Sequence, residues 1–469
     1  MKATEQKSLH IGMIHFKIGE TDGVSLEMEK WKQVLETAGH IVFFCSGEAG
    51  NASSLKNCTI IQELAYHLPE IEKLNGATFS SLLPYKDEDQ YRTKLYHWAD
   101  LIQGKLDTWI EQNALDVLIV ENIWSVGVHP SAAIAVNQVI VLHPRLSVLS
   151  HNHDFYWERV GKVSLTCKTA MEVADCFLPP HEQSYSHVVI NSFAQKALLD
   201  RKGLESSVIP NVFDFSKEPW QIDVFNADFR AAFNLFADDI VILQATRIIP
   251  RKGIELALDV VAELTKKMAG YIGKNSYKDL PYSQTSRIVL VLAGSCKDDQ
   301  SNYLDRLQNK AKILGVELLY LGNRIASERS ETNGQKTYSL WDAYANADIV
   351  SYPSYWEGWG NQFLEAVRAK LPILLFEYPV FKKDIASFGF QTISLGDTFD
   401  FDEDGFAKVG EKRIQEACRQ ILSVLFDRQV RLNMVELNFR IARKHFSLDA
   451  LSVSLKKYWE IWSKKKWSL

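Results

Sequence analysis

Two glutamates, Glu357 and Glu365, stand with seven residues between them in the segment Ser351 to Leu371, SYPSYWEGWGNQFLEAVRAKL. The segment reads as a strand end, a turn carrying Gly358, Trp359 and Gly360, and a helix that opens near Asn361 and Gln362. Glycine lets the backbone bend tightly and lets a ligand approach, and the first N–H groups of a helix have no partner within it. Such an end binds anions, and a diphosphate fits it well. Carboxylates repel bare phosphate, but each accepts two or more hydrogen bonds. Glu357 before the turn and Glu365 one turn inside the helix therefore suit the hydroxyls of a ligand whose phosphates rest on the helix end.

A second segment, Ala245 to Gly253 (ATRIIPRKG), follows an apolar run and sets Arg247 and Lys252 at the carboxyl edge of an expected parallel sheet, the edge where open α/β sheets bind ligands. Two cations there would neutralise a diphosphate and stabilise it as a leaving group; a solvated basic turn is the other reading. In Leu149 to Val160, LSHNHDFYWERV, an extended chain puts His151 and His153 on one face, beside Asp154. That face would suit a metal ion, yet no third ligand stands at a recognisable spacing, so structural histidines and a polar catalytic contact are the alternatives. In Phe16 to Glu27 (FKIGETDGVSLE), Gly19 and Gly23, with Lys17 beside them, either let a loop approach the diphosphate or acceptor or form a structural turn. Asn122 and Trp124, in VENIWSVG, lie past a strand end, where they line an acceptor cleft or cap it. The run Asp400-Phe401-Asp402 mimics a metal-binding Asp-x-Asp but sits in an acidic loop expected to be exposed, so no metal site is assigned.

Positioning these groups requires sheets. Short apolar runs alternate with segments of helical period, the pattern of α/β domains with parallel sheets covered on both faces. In the first half, strands are expected at Leu9 to Phe16, Ile41 to Cys45, Val117 to Val120, Ser147 to Ser150 and Val188 to Asn191, with a helix from Val24 to Ala38 ended by Gly39. A polar segment, Phe213 to Asp228, reads as a linker. A second series follows at Ile240 to Gln244, Ile288 to Leu292, Leu318 to Leu321, Ile349 to Tyr352 and Ile373 to Phe376. Lys274 to Ser286 and Ala326 to Lys336 are polar and aperiodic, and are expected to be mobile loops. The expected domains are 1–215, 236–445 and a C-terminal helix, 446–469. In that helix Leu451, Leu455, Tyr458, Trp459 and Trp462 share one face, expected to pack on the first domain, with a membrane-surface foot beside the terminal KKKW as the alternative.

The 469 residues are 46% hydrophobic and 24% charged, which fits a soluble globular chain of two or three domains. A net charge of −5 supplies no basic surface for a phosphate backbone, so nucleic acid is not an expected partner. The six cysteines are scattered, without zinc or disulfide spacing, and no leader pattern or apolar span of membrane length is seen; a reducing, cytoplasmic setting is expected.

The two segments that hold Arg247, Lys252, Glu357 and Glu365, with YSLWDAYANADIVSYP (Tyr338 to Pro353) between them, resemble glycosyltransferase family four, the retaining transferases of GT-B fold. The family's Arg followed by a Lys-Gly pair appears as Arg247 and Lys252-Gly253, and its glutamate pair as Glu357 and Glu365. Its Pro-Asn-Gly-Val-Asp appears as Pro210-Asn211-Val212-Phe213-Asp214, with the glycine replaced. The segments NHDFYWER, VENIWS and PNVFDF further resemble transferases that make mannosylglucosylglycerate-type solutes.

The resemblance implies two Rossmann-like, doubly wound domains facing a central cleft. It implies transfer of a hexose, glucose or mannose, from a nucleotide diphosphate sugar to the hydroxyl of a small-molecule or glycan acceptor, with retention and without a metal or other cofactor. Arg247 and Lys252 would bind the diphosphate, with phosphate also held by backbone around Gly360 and Asn361. Glu365 would bind the ribose and Glu357 the transferred sugar, while backbone from Leu321 to Arg324 would meet the base. Because family members place a histidine after the corresponding strand, near the transferred sugar, His153 and then His151 become candidates for a catalytic contact. Rival readings are a phosphorylase or sucrose-synthase-like enzyme of this fold, and a non-catalytic partner of a transferase.

Overall fold

In the computed structural model, residues 8–467 are described except 20–21, 51–55, 159–162 and 297–301, so Glu20, Thr21, Arg159 and Val160 of the segments above lie outside the described residues. The chain divides into two compact units, Met1–Val212 with Leu448–Leu469, and Phe213–Ser447.

The first unit is built on strands β1 (His10–Ile18), β2 (Ile41–Ala49), β3 (Cys58–Ile60), β4 (Val117–Glu121), β5 (Ser147–Asn152), β6 (Tyr185–Val189) and β7 (Ser207–Val208). They form one parallel sheet in the order β3-β2-β1-β4-β5-β6-β7. Every residue of β4 and β5 is buried, as expected of strands covered on both faces. The order reverses between β1 and β4, so the loops leaving those two strands part at the carboxyl edge and leave a crevice for ligands. The helix Leu448–Trp467 buries Leu451, Leu455, Tyr458, Trp459 and Trp462 in the same cluster as Trp31 and Leu35. Its aromatic stripe is thereby part of the core of the first unit, which removes the apolar face that a membrane foot would need. Lys466 Nζ also bonds Asp116 at 2.6 Å.

The second unit repeats the plan with β8 (Ile240–Gln244), β9 (Ile288–Leu292), β10 (Glu317–Tyr320), β11 (Ile325–Ala326), β12 (Ser330–Thr332), β13 (Gln335–Ser339), β14 (Ile349–Tyr352), β15 (Ile373–Leu375), β16 (Ile393–Ser394), β17 (Asp400–Phe401) and β18 (Ala407–Lys408). Its main sheet runs β10-β9-β8-β14-β15-β16 and is parallel throughout, with the reversal between β8 and β14.

Several expectations are corrected. The strand placed at Val188 to Asn191 is Tyr185–Val189, and Asn191 caps the next helix through Oδ1, which accepts from Ala194 N at 2.7 Å. The expected linker is bonded into the second unit: Trp220 stacks on Trp341 at 4.1 Å, and Asn226 Nδ2 donates to Asp342 at 2.8 Å. The first unit ends at Val212, just before the expected linker begins, and the second ends at Ser447, against the expected 445. Neither expected mobile loop is loose. Lys278 reaches the buried Asp348 at 2.6 Å, and the stretch from Ala326 to Lys336 forms the β12–β13 hairpin. In the first stretch Lys278, and in the second Arg329 and Lys336, are bonded within the unit, although β12 itself is exposed. The Asp400 run lies in the β17–β18 hairpin, with Asp400 and Phe401 exposed.

Candidate functional site

At the switch point of the second sheet, the loops leaving β8 and β14 meet. The chain after β8 forms a short 3-10 turn, Pro250–Lys252, and passes into the helix Ile254–Met268 through Gly253 at φ 58°. A Cβ at Gly253 would collide with the carbonyl oxygen of Pro353, so only glycine lets this turn lie against the loop that leaves β14. That contact delivers two cations to one carboxylate. Lys252 Nζ bonds Glu357 Oε1, and Arg251 Nη1 bonds Glu357 Oε2 at 3.1 Å and the Trp356 carbonyl at 2.8 Å. Lys252 and Glu357 are 7% and 8% exposed, so the pair is desolvated and its charges act at close to full strength. Burial raises the Glu357 carboxyl, but the charges of Lys252 and Arg251 outweigh it and hold the group below its ordinary value; burial lowers the Lys252 ammonium, with Glu357 opposing. Arg247 is exposed and acts electrostatically on Lys252.

Beyond Glu357 the chain turns at Gly360, φ 121°, where a Cβ would strike the Tyr378 hydroxyl. That hydroxyl donates to the Trp359 carbonyl at 2.9 Å and fixes the turn, while Trp359 packs on Phe446 at 5.6 Å. The helix Asn361–Arg368 starts there, and its N-cap Gly360 supplies no side-chain cap. Gly358 and Asn361 flank this end, Gln362 is buried in its first turn, and Glu365, half-buried, accepts from Tyr344 OH at 2.9 Å. Arg324 is tied elsewhere: Nε donates to the Lys336 carbonyl at 2.7 Å and the guanidinium lies over Phe233 at 5.1 Å.

The first unit gathers its candidates at the β1/β4 reversal and the adjoining end of β5. Asn122, at φ 57°, turns its side chain inward: Oδ1 accepts from His153 N at 3.0 Å, Asp154 N at 3.1 Å and Ser125 Oγ at 2.6 Å. It fastens the loop after β5 to the loop after β4, a structural task in place of the expected acceptor contact. His151 and His153 converge on Glu121, the last residue of β4, with ring centroids 4.3 Å apart. Burial pulls both imidazoles down to about 4, so both are neutral at pH 7, and burial pushes Glu121 up. The third polar group that seemed missing beside the histidines is therefore present in Glu121. Trp124 is core: it stacks on Tyr185 at 5.4 Å and donates to the Ala133 carbonyl at 3.0 Å. Lys17 pairs with Asp22 at 3.7 Å, and Gly23 opens a helix whose Val24 and Ser25 amides already bond Asp22. An anion at that helix end would have to displace Asp22.

Sequence reasoning missed Glu121, Arg251, Tyr344 and Tyr378. Glu121 carries a signal, a lone charge closing the apolar run VLIVE at a switch-point edge. The other three act through contacts made only on folding.

With this geometry in view, comparison with known proteins is direct. The family model described as Glycosyl transferases group 1 matches residues 225–435, which contain the whole second sheet. A mannosylglucosylglycerate synthase of Petrotoga mobilis is 40% identical over 90% of this chain and 94% of its own length. One of Thermotoga maritima is 35% identical over 94% of this chain and 98% of its own. In fold alone, the Anabaena protein HepE, solved in complex with UDP and glucose, matches with a TM-score of 0.59 at 14% identity, covering 97% of this chain and 100% of that one. Two parallel α/β units, a group 1 transferase domain and near full-length relatives lead to one assignment: the chain belongs to the group 1 glycosyl transferases of GT-B fold, in the family of the mannosylglucosylglycerate synthases, and is a hexosyltransferase.

Proposed function

We propose that this enzyme transfers mannose from a nucleotide diphosphate mannose to a hydroxyl of a glucosylglycerate-type acceptor, with retention of anomeric configuration. The sugar and acceptor come from the names of its two full-length relatives. The carrying observation is the cluster of Lys252, Arg251 and Glu357 on the turn that leads into the helix Asn361–Arg368, whose N-cap is a glycine. Arg247, Lys252 and the helix end supply positive charge where a diphosphate leaves, which is the task a metal performs in other transferases. Glu357 and Glu365 accept from the sugar and ribose hydroxyls. The acceptor oxygen attacks the anomeric carbon on the face the diphosphate leaves, and a diphosphate oxygen takes the acceptor's proton as the glycosidic bond forms. Two carboxylates acting as nucleophile and acid would need to flank the bond about 5 Å apart. Glu357 is unsuited to that role, because two cations already engage it.

The test combines a thermal-shift panel of GDP-, UDP- and ADP-sugars with a product assay on glucosylglycerate. A bound donor at 100-fold excess over its Kd should stabilise the protein by about 2.7 kcal/mol. Expected are a shift with one mannose donor, an α-linked product by NMR, and no rate gain on adding Mg²⁺ or Mn²⁺. Inverted product, or sugar release driven by inorganic phosphate, would defeat the proposal.

A further inference from the structure

Glu121, His151 and His153 approach one point from the ends of β4 and β5. Their facing atoms, Oε2, Nδ1 and Nε2, lie within 4.8 Å of one another, with Oε2 2.9 Å from Nδ1 of His151 and 3.4 Å from Nε2 of His153. Two ligand atoms bound tetrahedrally to one ion at about 2.1 Å stand roughly 3.4 Å apart. The 3.4 Å pair has that separation and the 2.9 Å pair is somewhat shorter, so the three atoms are close enough to share one ion.

Hydrogen bonding accounts for the trio only in part: His153 Nε2 and Glu121 Oε2 share a long hydrogen bond of 3.4 Å, while His151 makes none. A hydrogen-bonded N–H points at its acceptor. Nδ1 of His151 comes within 2.9 Å of the carboxylate and yet forms no hydrogen bond with it, so its lone-pair axis is aimed past the oxygen. Among the described residues, neither ring nitrogen of His151 nor Oε1 of Glu121 has a hydrogen-bond partner, although both residues are buried. Leaving such buried atoms unpaired is costly, and native proteins keep them where an ion or ordered water completes the set. The side chains are held in place: Trp31 stacks on His151 at 4.2 Å, and His15 Nδ1 bonds the Glu121 carbonyl oxygen at 2.8 Å.

We propose that Glu121, His151 and His153 form a binding site for a zinc-class divalent cation. Two imidazoles and one carboxylate are a donor set that suits Zn²⁺ and discriminates against Mg²⁺ and Ca²⁺, which prefer oxygen. Three protein ligands leave a fourth position for an oxygen, on the side of His153, the most exposed of the three at 4%. The site is separate from the cations assigned to the diphosphate, and its test needs no activity.

Full-length protein freed of metal by a chelator is titrated with Co²⁺ and followed by visible absorption. Expected are one equivalent bound with the intense d–d bands of four- or five-coordinate cobalt, displacement by one equivalent of Zn²⁺, and at least 10-fold weaker binding in both Glu121→Gln and His151→Asn. A variant of the exposed His97, His97→Asn, should bind like the parent. The proposal is overturned by a weak six-coordinate spectrum, by no stoichiometric uptake, by a near-ultraviolet thiolate-to-cobalt band, which would place the ion on cysteine, or by unchanged affinity in both folded variants. If both variants unfold, the spectrum of the unaltered protein decides.

Discussion

The charge on Glu357 is shared between two cations, and this governs what each substitution can do. Removing Lys252 leaves the carboxylate bonded to Arg251, so Lys252→Ala should keep the fold while losing the charge that meets the diphosphate. An electrostatic contact realised in the transition state contributes about 10²–10³-fold in kcat. A loss of that size, with a melting curve near that of the parent, is the expected outcome; parent-like turnover would remove Lys252 from the site. Glu365→Ala should lower kcat/KM by a similar factor, chiefly through a higher donor KM, because a hydroxyl contact made equally in ground and transition states shows up in binding. Steady-state kinetics at varied donor separates the two patterns. At this scale the sequence was partly legible. Lys252 and Glu357 stood out because their spacing follows a family pattern, but Arg251, one residue before Lys252, was passed over. Its pairing depends on the 3-10 turn that swings it onto the β14 loop. Glu121 was passed over for Asn122, whose side chain turned out to be a fastener.

Gly360 does at the level of the element what Lys252 does at the level of the residue. It opens the helix Asn361–Arg368 in a conformation that L side chains rarely adopt, against a tyrosine hydroxyl that a Cβ would strike. Gly360→Ala should therefore cost about 1–3 kcal/mol of stability from backbone strain, and weaken donor binding by shifting the helix end. Tyr378→Phe relieves the clash but also loses the bond to the Trp359 carbonyl, so in urea unfolding the double variant should lose less stability than the two single losses summed. A double loss equal to that sum would show that the clash does not matter, and no loss in Gly360→Ala would show that the turn is not strained. Elements of the main sheets were readable because buried parallel strands are continuous apolar runs: β8, β9 and β14 lie where they were expected. The β12–β13 hairpin was not, since its residues are exposed and polar, and its register comes from pairing that leaves no hydrophobic alternation to read.

Two sheets of the same plan were visible in the sequence as two series of strands, and the first unit ends where the polar segment begins, but that segment is no linker. The polarity of the segment from Phe213 to Asp228 suggested a linker, yet its aromatic residues pack on Trp341, its Asn226 amide bonds Asp342 and its Asp228 pairs with Lys336. The units differ most in how they carry histidine. Eleven of the twelve histidines fall within residues 1–212, and only His445 lies in the second unit. Burial lowers His129 and His187 to about 4. His129 uses both ring nitrogens in its neutral form, accepting from Ala132 N at 3.1 Å to cap a helix and meeting the Glu63 carbonyl at 2.9 Å. A proton on the capping nitrogen would break that cap. Because the folded-state value lies below the unfolded value near 6.5, the unfolded chain takes up protons that the folded unit refuses, so stability falls as pH drops from 6.5 towards 4. Each such histidine removes up to about 1.4 kcal/mol per pH unit through that window. The first unit should therefore be the acid-sensitive one. Thermal proteolysis at about pH 7.5 and about pH 5, with the peptides mapped by mass spectrometry, should show cleavage within residues 1–212 shifting to lower temperature by more than cleavage within 213–447. An equal shift in both units, or a larger one in the second, would mean that the buried histidines do not set the acid stability of this enzyme.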